Sequence, residues 1–487
     1  MKIIKPFLFL LFLVLSVIPP VQVACRFLPD PLLKGYFRPV AEPELKYFTW
    51  RRWFAGTFQD STVQRTNEHT GLHNTLVRLR NQADYTLFGE THAPGFIRGK
   101  EGWLYEEDYI YEYTGRYFVG PRAIDRKIDR LKNVSDTLAA LGIRLVVVIE
   151  PGKASYYPEH IPARYRPDRG SLSNYEYFIR RSGAAGLPVL DLNRWFTRVK
   201  DTSRYALFPR YGMHWSLYGA NLAADTLSKY IGRLTGVPMP SFRPARIELS
   251  DRPRGTDYDI GDLLNLACAL PAGRYAYPEV PFASMPDGKL PALIIADSYY
   301  INLVENYGKK MFGKQDYWYY NYSLYPHQND QPPLKADKSA LDSTLKQYRV
   351  VMLMVSEINL HCCFWNFADE AYRAFHPEVE DSKFDEFENT IRIDREWFRF
   401  MVRRSVEEHR PLDAMIAANA SYMFNANYEA FEHRTRLDTI HHLRLSIPNN
   451  PEWMKNVERK AKLWNVPLDT AMMADAIYSY NLSKKKP

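Results

Sequence analysis

The chain has 487 residues, of which 46% are hydrophobic and 25% charged, values that are typical of a globular protein and exclude wholesale disorder. Its 64 basic and 56 acidic residues leave a formal net charge of +8, which is too diluted along the chain to indicate a nucleic-acid partner. That charge is compatible with a weak preference for anionic surfaces or anionic polysaccharide.

The first residues of the chain predict export. Lys2 and Lys5 precede an apolar stretch from Phe7 to Ile18, which has the length of a signal-peptide core and is short for a membrane span. We expect residues 1–25 to be a cleaved signal peptide or an N-terminal membrane anchor, with contact to the inner membrane. The bulk of the chain is then periplasmic. Residues 26–95 are interpreted as an N-terminal accessory segment.

From about residue 96 the sequence alternates between predicted helices and buried strands. The strands are four near-continuous apolar runs, "IRLVVVIEPGK", "LPVLDL", "PALIIADS" and "YRVVMLMVSE". Such runs, separated by helical segments, are typical of a parallel sheet covered on both faces. The sequence therefore predicts an α/β domain over residues 96–375, with a mostly parallel sheet flanked by helices. The ends of the runs place Lys153, Ser298 and Glu357 on one edge of that sheet.

Ser298 follows the buried run in "PALIIADSYYINL", so it is either a nucleophile or a cap at the end of the strand. A serine nucleophile needs a base, because a free hydroxyl is almost entirely protonated at neutral pH. The best candidate base is His214, which comes just before the predicted helix in "HWSLYGANLAADTLSKYIGRL". A histidine in that position can equally be structural. Neither a metal site nor a cofactor is expected.

The C-terminal region, residues 385–483, contains an internal repeat. The segments that begin at Ile391 and Ile447 align without gaps, and the coinciding pairs include Glu396/Glu452, Trp397/Trp453, Pro411/Pro467, Ala420/Ala476 and Tyr422/Tyr478. Each copy predicts a helical hairpin that is broken at the proline. We expect the matched Trp and Tyr residues to be core anchors, and a docking surface for a partner or a sugar chain is the alternative.

Several short motifs carry a family resemblance. "GKEGWLY", "EPGKASYYPEHIP", "HWSLYGANLAA", "GDLL", "ADS" and a late strand ending in Glu occur in this order. They resemble the SGNH-hydrolase-like domain of the alginate O-acetyltransferase family, the AlgX and AlgJ type, over about residues 96–370. The resemblance implies an exported O-acetyltransferase that moves an acetyl group through a serine onto polysaccharide hydroxyls. It also implies an acetyl donor, supplied by a membrane acyltransferase partner.

The family's active residues fall on Ser298 and His214, with Trp215 completing the match, but two positions depart from the pattern. The acid of the family's D-x-H-W motif falls on Gly212, and the glycine of G-D-S falls on Ala296. Loss of a triad acid can cost on the order of 10⁴ in turnover.

Three outcomes are open for the missing acid. A Ser–His dyad could work alone, a carboxylate from elsewhere could substitute, or the site could be degenerate and only bind ligand. The substitutes nearest in kind lie in "GTDYDIGDLL", namely Asp257, Asp259 and Asp262. Two alternative functions stay open. One is an SGNH-type carbohydrate esterase, in which water instead of a sugar takes the acyl group. The other is an inactive polysaccharide-binding or scaffold protein, which Gly212 and the repeated helical tail would favour.

Three supporting roles complete the sequence-based picture. Lys153 is expected either to neutralise an acidic glycan or to pair with Glu150. Asp297 is expected to fix the turn after its strand. The resemblance further implies that the backbone N–H of Ser298 helps to hold the oxyanion.

Overall fold

A computed structural model of the chain describes residues 4–35, 48–165, 171–271, 273–281, 290–326 and 333–484. Lys2 of the predicted export segment and residues 36–47 of the accessory segment lie outside these ranges. The strands are β1 (Phe96–Arg98), β2 (Leu104–Glu106), β3 (Arg144–Glu150), β4 (Val189–Asp191), β5 (Arg246–Ser250), β6 (Tyr275–Glu279), β7 (Ala292–Ala296), β8 (Gln315–Tyr319), β9 (Ser323–Tyr325) and β10 (Val350–Ser356).

The α-helices of the same ranges are numbered in chain order. Those before β7 are α1 (Ile4–Cys25), α2 (Trp50–Phe54), α3 (Thr57–His69), α4 (His73–Leu87), α5 (Glu107–Tyr113), α6 (Pro121–Ala140), α7 (Lys153–Tyr156), α8 (Asn174–Ala185), α9 (Leu192–Val199), α10 (Leu217–Thr235) and α11 (Asp259–Leu263). Those after β7 are α12 (Tyr299–Leu303), α13 (Lys309–Phe312), α14 (Leu341–Leu345), α15 (Phe367–Phe375), α16 (Lys383–Ile393), α17 (Arg395–Glu408), α18 (Leu412–Asn427), α19 (Arg436–Ser446), α20 (Pro451–Trp464) and α21 (Leu468–Ser483).

A six-stranded sheet with the order β4-β3-β10-β7-β8-β9 forms the centre of the fold. Its first five strands are parallel, and β9 runs antiparallel to β8. The four apolar runs became β3, β4, β7 and β10, which confirms the mostly parallel sheet predicted from them. Because β3, β7 and β10 are parallel, the residues that follow them meet at one edge of the sheet.

Both faces of the sheet are buried. Successive side chains along a strand point to opposite faces, so neighbouring residues of one strand enter different cores. In β10, Leu353 and Val355 belong to one hydrophobic core, while Met352 and Met354 belong to a second core on the opposite face. Helix α6 supplies its apolar side to the first core and helix α10 supplies its apolar side to the second. The sheet is thereby flanked by helices on both sides, which confirms the α/β architecture.

The N-terminal helix α1 carries exposed apolar side chains, among them Phe7, Phe9 and Phe12. None of the helices in the described part of the chain combines the length and the apolar character of a membrane span. Helix α4 of the accessory segment contributes Tyr85 to a small core that also contains Leu104 and Ile260. This part of the chain therefore packs against the loop that precedes β6.

The C-terminal region is helical, with Pro411 and Pro467 at the N-caps of α18 and α21. The pair α17–α18 packs into the main core through residues such as Phe398 and Phe424, whereas α20–α21 surround a small cluster of their own.

Two of the expected core anchors in this region are instead exposed. Tyr422 and Tyr478 have 74% and 64% of their surface exposed, so the expectation that these matched tyrosines are core anchors is wrong. The reason is helical geometry: Tyr422 lies midway between the buried Ala420 and Phe424, which share one helix face, so its side chain points away from the core.

Candidate active site

Ser298 stands at the first turn after β7, at the N-cap of α12. Its hydroxyl makes no capping hydrogen bond to that helix. The turn itself is fixed by Asp297, whose Oδ2 accepts hydrogen bonds from the Ser356 N–H (2.9 Å) and from Asn359 Nδ2 (2.9 Å). The Oδ1 atom of Asp297 accepts from the Tyr299 N–H at 3.1 Å. Asp297 thus ties the ends of β7 and β10 together and leaves the Ser298 hydroxyl available to another partner.

That partner is His214, whose Nε2 lies 2.9 Å from Ser298 Oγ. The imidazole is held in the segment before α10, where the Ser216 hydroxyl caps the helix by accepting from the Gly219 N–H at 2.9 Å. The His214 ring also contacts the Tyr299 ring at 4.8 Å between centroids. A hydroxyl and an imidazole that are far apart in sequence are therefore within hydrogen-bond distance at one edge of the sheet.

The other ring nitrogen of His214 contacts a carboxylate. Asp259 Oδ2 lies 2.6 Å from His214 Nδ1, and Asp259 Oδ1 accepts from the Met213 N–H at 2.7 Å and the Ile260 N–H at 2.7 Å. Because a carboxylate only accepts, Nδ1 carries the proton and Nε2 is free to accept from Ser298. Burial by itself lowers the pKa of His214, but the hydrogen bond and the charge of Asp259 outweigh it and raise the pKa above its ordinary value.

Gly212 explains how this carboxylate reaches the histidine. A Cβ at position 212 would lie 2.5 Å from the Thr256 carbonyl oxygen and 2.5 Å from Pro209 Cγ. The loop that leads to Asp259 can therefore pack directly on the Gly212 backbone, and any side chain there would push it away. Of the three substitutes considered from sequence, Asp259 is the one in contact with His214.

The other two carboxylates have different contacts. Asp257 is buried and accepts from the Leu217 N–H at 3.2 Å, at the start of α10. Burial raises the pKa of Asp257 to about 7. Asp262, proposed from sequence as a supporting residue, forms a solvent-exposed salt bridge with Lys34 at 2.6 Å. The acid beside His214 is thus Asp259 and not Asp262, because only the first residue of α11 points at the imidazole.

Lys153 has neither of the contacts expected from sequence. Its ammonium donates to the backbone carbonyls of Arg210 (2.9 Å) and Gly212 (2.7 Å), not to Glu150, and its side chain is buried. Burial lowers the pKa of Lys153 to about 7. Because both accepting carbonyls lie just before His214, Lys153 is a positioning residue for the histidine segment. A buried ammonium in this place does not present its charge to a glycan.

Glu150 is buried and neither of its carboxyl oxygens has a hydrogen-bond partner among the described residues. Burial and the neighbouring Asp297 raise the pKa of Glu150 well above its ordinary value. A raised pKa favours the uncharged carboxyl group, which agrees with the absence of a contact between Glu150 and Lys153 among the described residues.

Glu357 and Trp215 are the remaining residues singled out from sequence, and both are buried near the site. Glu357 is buried and accepts hydrogen bonds from Asn193 Nδ2 (2.9 Å) and from the Ser155 hydroxyl. Burial raises the pKa of Glu357 to about 7. Trp215 is fully buried against the Phe196 and Tyr299 rings, at 6.0 and 5.4 Å between centroids. Both residues lie on the same edge of the sheet as Ser298 without contacting its hydroxyl.

Ser298 borders a cavity of about 640 Å³ whose other walls sequence reasoning missed. They include Tyr319 at the end of β8, Tyr320 from the turn that follows, Asn359 after β10, and Arg395 from α17. Tyr320 has a φ of +52°, a conformation that is costly for a bulky residue and that clusters at functional sites. The aromatic run "YWYYNY" at 317–322 is the one sequence signal that could have pointed to this wall.

Parts of this chain are similar in sequence to known proteins. Residues 96–285 match the family model described as SGNH hydrolase-like domain, acetyltransferase AlgX. This match includes His214 and Asp259 and ends before Ser298. The chain is 36% identical over 162 residues to the probable alginate O-acetylase AlgJ of Pseudomonas aeruginosa, covering 33% of this chain and 39% of that protein. It is 30% identical over 155 residues to the protein of the same name from Azotobacter vinelandii, covering 32% and 38%. The chain thus spans about two fifths of these curated relatives.

Two solved structures are similar at lower identity. The O-acetyltransferase domain of Pseudomonas putida AlgJ is 19% identical, with 55% of this chain and 92% of that chain covered and a TM-score of 0.36. Bacillus cereus PatB1 is 11% identical, with 54% and 96% covered and a TM-score of 0.36. The family match and the curated relatives lead to one conclusion: residues 96–285 of the chain are similar to the SGNH hydrolase-like domain of the AlgX type.

Proposed function

We propose that this protein is an exported O-acetyltransferase that moves an acetyl group through Ser298 onto hydroxyl groups of a polysaccharide. The observation that carries the proposal is the hydrogen-bonded series from Ser298 Oγ to His214 Nε2 (2.9 Å) and from His214 Nδ1 to Asp259 Oδ2 (2.6 Å). A hydroxyl, an imidazole and a carboxylate in this order are the parts of a nucleophilic serine triad.

The first half of the reaction acylates the serine. His214 Nε2 takes the proton as Ser298 Oγ bonds to the carbonyl carbon of an acetyl ester or thioester donor. The bond from that carbon to the donor then breaks, and the donor leaves with the proton from His214. Asp259 stabilises the imidazolium that forms in between, and the Ser298 N–H is the proposed donor to the oxyanion.

The second half transfers the acetyl group. A sugar hydroxyl gives its proton to His214 while its oxygen bonds to the acetyl carbon, and the bond from that carbon to Ser298 Oγ breaks as Oγ takes the proton back. Water in place of the sugar would make the protein an esterase. The relatives named as probable alginate O-acetylases favour a sugar acceptor.

The inactive scaffold considered from sequence was motivated by the absence of an acid at Gly212 and by the repeated helical tail. Asp259 supports an active enzyme instead, because it meets His214 at the nitrogen that the acid of a triad contacts. The apolar N-terminal segment supports export, and we keep the proposal that a membrane acyltransferase supplies the acetyl donor.

A fluorophosphonate probe tests the nucleophile directly. Labelling of the full chain at Ser298, lost in Ser298→Ala and strongly reduced in His214→Ala, is the expected result. Tyr422→Phe, which changes an exposed hydroxyl on helix α18 outside the cavity lining, serves as the control. A wild-type protein that is folded by circular dichroism and yet unlabelled, and that releases no p-nitrophenol from p-nitrophenyl acetate, would overturn the proposal.

A further inference from the structure

The cavity beside Ser298 is built by two separate parts of the chain. One wall comes from the sheet edge and carries Ser298 itself, and another comes from helix α17 in the C-terminal region, which contributes Arg395, Phe398 and Arg399. Helix α17 lies outside residues 96–285, the part that matches the family model. The composition of this wall is therefore a property of this chain that the family match does not describe.

Helix α17 is held firmly against the site. Arg395 Nη2 contacts the carboxylates of Glu106 and Asp108, and Arg399 Nε donates to Asp108 at 3.0 Å. The two carboxylates are almost buried, with 6% and 9% of their side chains exposed. Phe398, between the arginines, is buried and stacks on the His361 ring at 3.9 Å between centroids. The arginines consequently have fixed positions relative to Ser298.

Arg395 nevertheless presents most of its side chain to solvent. It is 60% exposed, and its hydrogen bonds use Nη2, so Nε and Nη1 have no partner in the part of the chain that the structure describes. A guanidinium group has five N–H donors in one plane, and here it is anchored at one end and open at the other. That arrangement suits a ligand with several oxygen acceptors.

Another part of the lining is aromatic. Tyr319, Tyr320 and Tyr322 all line the cavity, and Tyr322 is 57% exposed. A cavity of about 640 Å³ is far larger than an acetyl group needs, and its size is that of a site for a larger organic ligand. The cavity that Arg395 and these tyrosines line is thus available to a second substrate.

We propose that helix α17 forms the acceptor side of the active site, and that Arg395 binds the sugar that receives the acetyl group. The proposal rests on the proposed function and deepens it. An acceptor held at Arg395 would compete with water for the acetyl carbon on Ser298, while acylation of Ser298 by a small donor would depend much less on this residue. Arg395 would therefore decide whether the acetyl group is transferred or hydrolysed.

The test compares transfer with acylation in the full chain. p-Nitrophenyl acetate is the donor and short alginate oligosaccharides are the acceptor; the burst of p-nitrophenol reports acylation, and mass spectrometry of the sugar reports transfer. In Arg395→Ala and Arg395→Gln, we expect the ratio of acetylated sugar to free acetate to fall by about tenfold or more, the effect of losing one charged hydrogen bond. Arg403→Ala, an exposed arginine on the same helix, should leave the ratio unchanged.

The outcomes separate the two proposals. An unchanged ratio in both Arg395 variants would overturn the acceptor role and leave the proposed function standing. A burst and a transfer rate that fall in equal proportion would also overturn it, because Arg395 would then only support the fold. A wild-type protein that shows no burst would remove the proposed function itself. Thermal unfolding of each variant identifies any that lost the fold, and the glutamine variant keeps the test valid if alanine is not tolerated.

Discussion

The Gly212 backbone and the loop that carries Asp259 fit together so closely that a Cβ at 212 would lie 2.5 Å from the Thr256 carbonyl oxygen. The family motif has its acid at this position, and here the acid arrives from the loop that the glycine admits. The glycine at 212 and the acid at 259 are therefore one exchange: the side chain absent at 212 makes room for the carboxylate that lies 2.6 Å from His214.

The first prediction concerns Gly212→Ala. The added methyl group meets a backbone carbonyl, which cannot rotate away, so we expect a loss of about 1–3 kcal/mol in the free energy of unfolding together with a drop in the rate of acylation. Denaturant unfolding and the p-nitrophenyl acetate burst measure the two effects. Gly183→Ala is the control, because nothing lies within 4 Å of its Cβ position on helix α8. Equal behaviour of the two variants would contradict the close fit at Gly212.

The second prediction concerns the acid itself. Asp259→Asn should lower the turnover number by up to about 10⁴, because the amide no longer holds the Nδ1 proton or stabilises the imidazolium. Asp262 is the fourth residue of the helix that begins at Asp259. Its variant Asp262→Asn loses only an exposed salt bridge and should have kinetics close to those of the wild type. Steady-state kinetics with p-nitrophenyl acetate distinguish these outcomes, and similar losses in both variants would argue against Asp259 as the acid.

The third prediction is the pH profile of acylation. His214 must be neutral to accept the Ser298 proton, and its pKa is raised above the ordinary value of 6.5. Activity should thus fall as the pH drops through a midpoint above 6.5. Removing the Asp259 charge takes away the main cause of the raised pKa, so the residual activity of Asp259→Asn should have its midpoint at lower pH. A profile of kcat/KM against pH for both proteins checks this, and a midpoint that does not move would count against the contact.

The fourth prediction concerns Glu357, whose pKa is raised from 4.5 to about 7 by burial. A raised pKa in the folded state stabilises the protein fully below pH 4.5, and this stabilisation is lost as the pH rises through about 7. Full loss amounts to at most about 3 kcal/mol from the size of the shift.

Glu357→Gln imitates the protonated form and should therefore be less sensitive to pH than wild type. The difference in unfolding free energy between variant and wild type should favour the variant increasingly from pH 5 to pH 8. Comparing differences cancels the contribution of other buried acids such as Glu112, whose pKa burial raises to about 8. Glu396→Gln, with 84% of its side chain exposed, should show no such trend. A constant difference across the range would refute the assignment.

The sheet and the serine–histidine contact could be predicted from local patterns. Strands β3, β7 and β10 are buried on both faces, so each left a continuous apolar run, and the polar residue after each run marked the sheet edge. Strands β8 and β9 left no such run, because β8 is built from tyrosine, tryptophan and polar residues and β9 is only three residues long. Their aromatic turn, which borders the cavity, was missed with them.

Other parts of the site depend on contacts that no local pattern records. Nothing in "GTDYDIGDLL" distinguishes Asp259 from the other aspartates of this segment. Asp259 contacts His214 because the segment packs closely on the Gly212 backbone, and the sequence does not record that close approach. Lys153 donates to two backbone carbonyls and not to Glu150, and this choice depends on what surrounds both side chains. Arg395 reaches the cavity only because Phe398 joins the main core.

Strand β10 is last in sequence among those of the central sheet, yet it lies between β3 and β7. During synthesis, the strands that end at Glu150 and Ala296 consequently cannot be joined until residue 356 has left the ribosome. The chain lacks its central pairing partner for most of its elongation, so native sheet assembly waits until only the last 131 of the 487 residues are still to be made. Such a delay would keep the polypeptide open and threadable, which is the state that a translocation channel accepts.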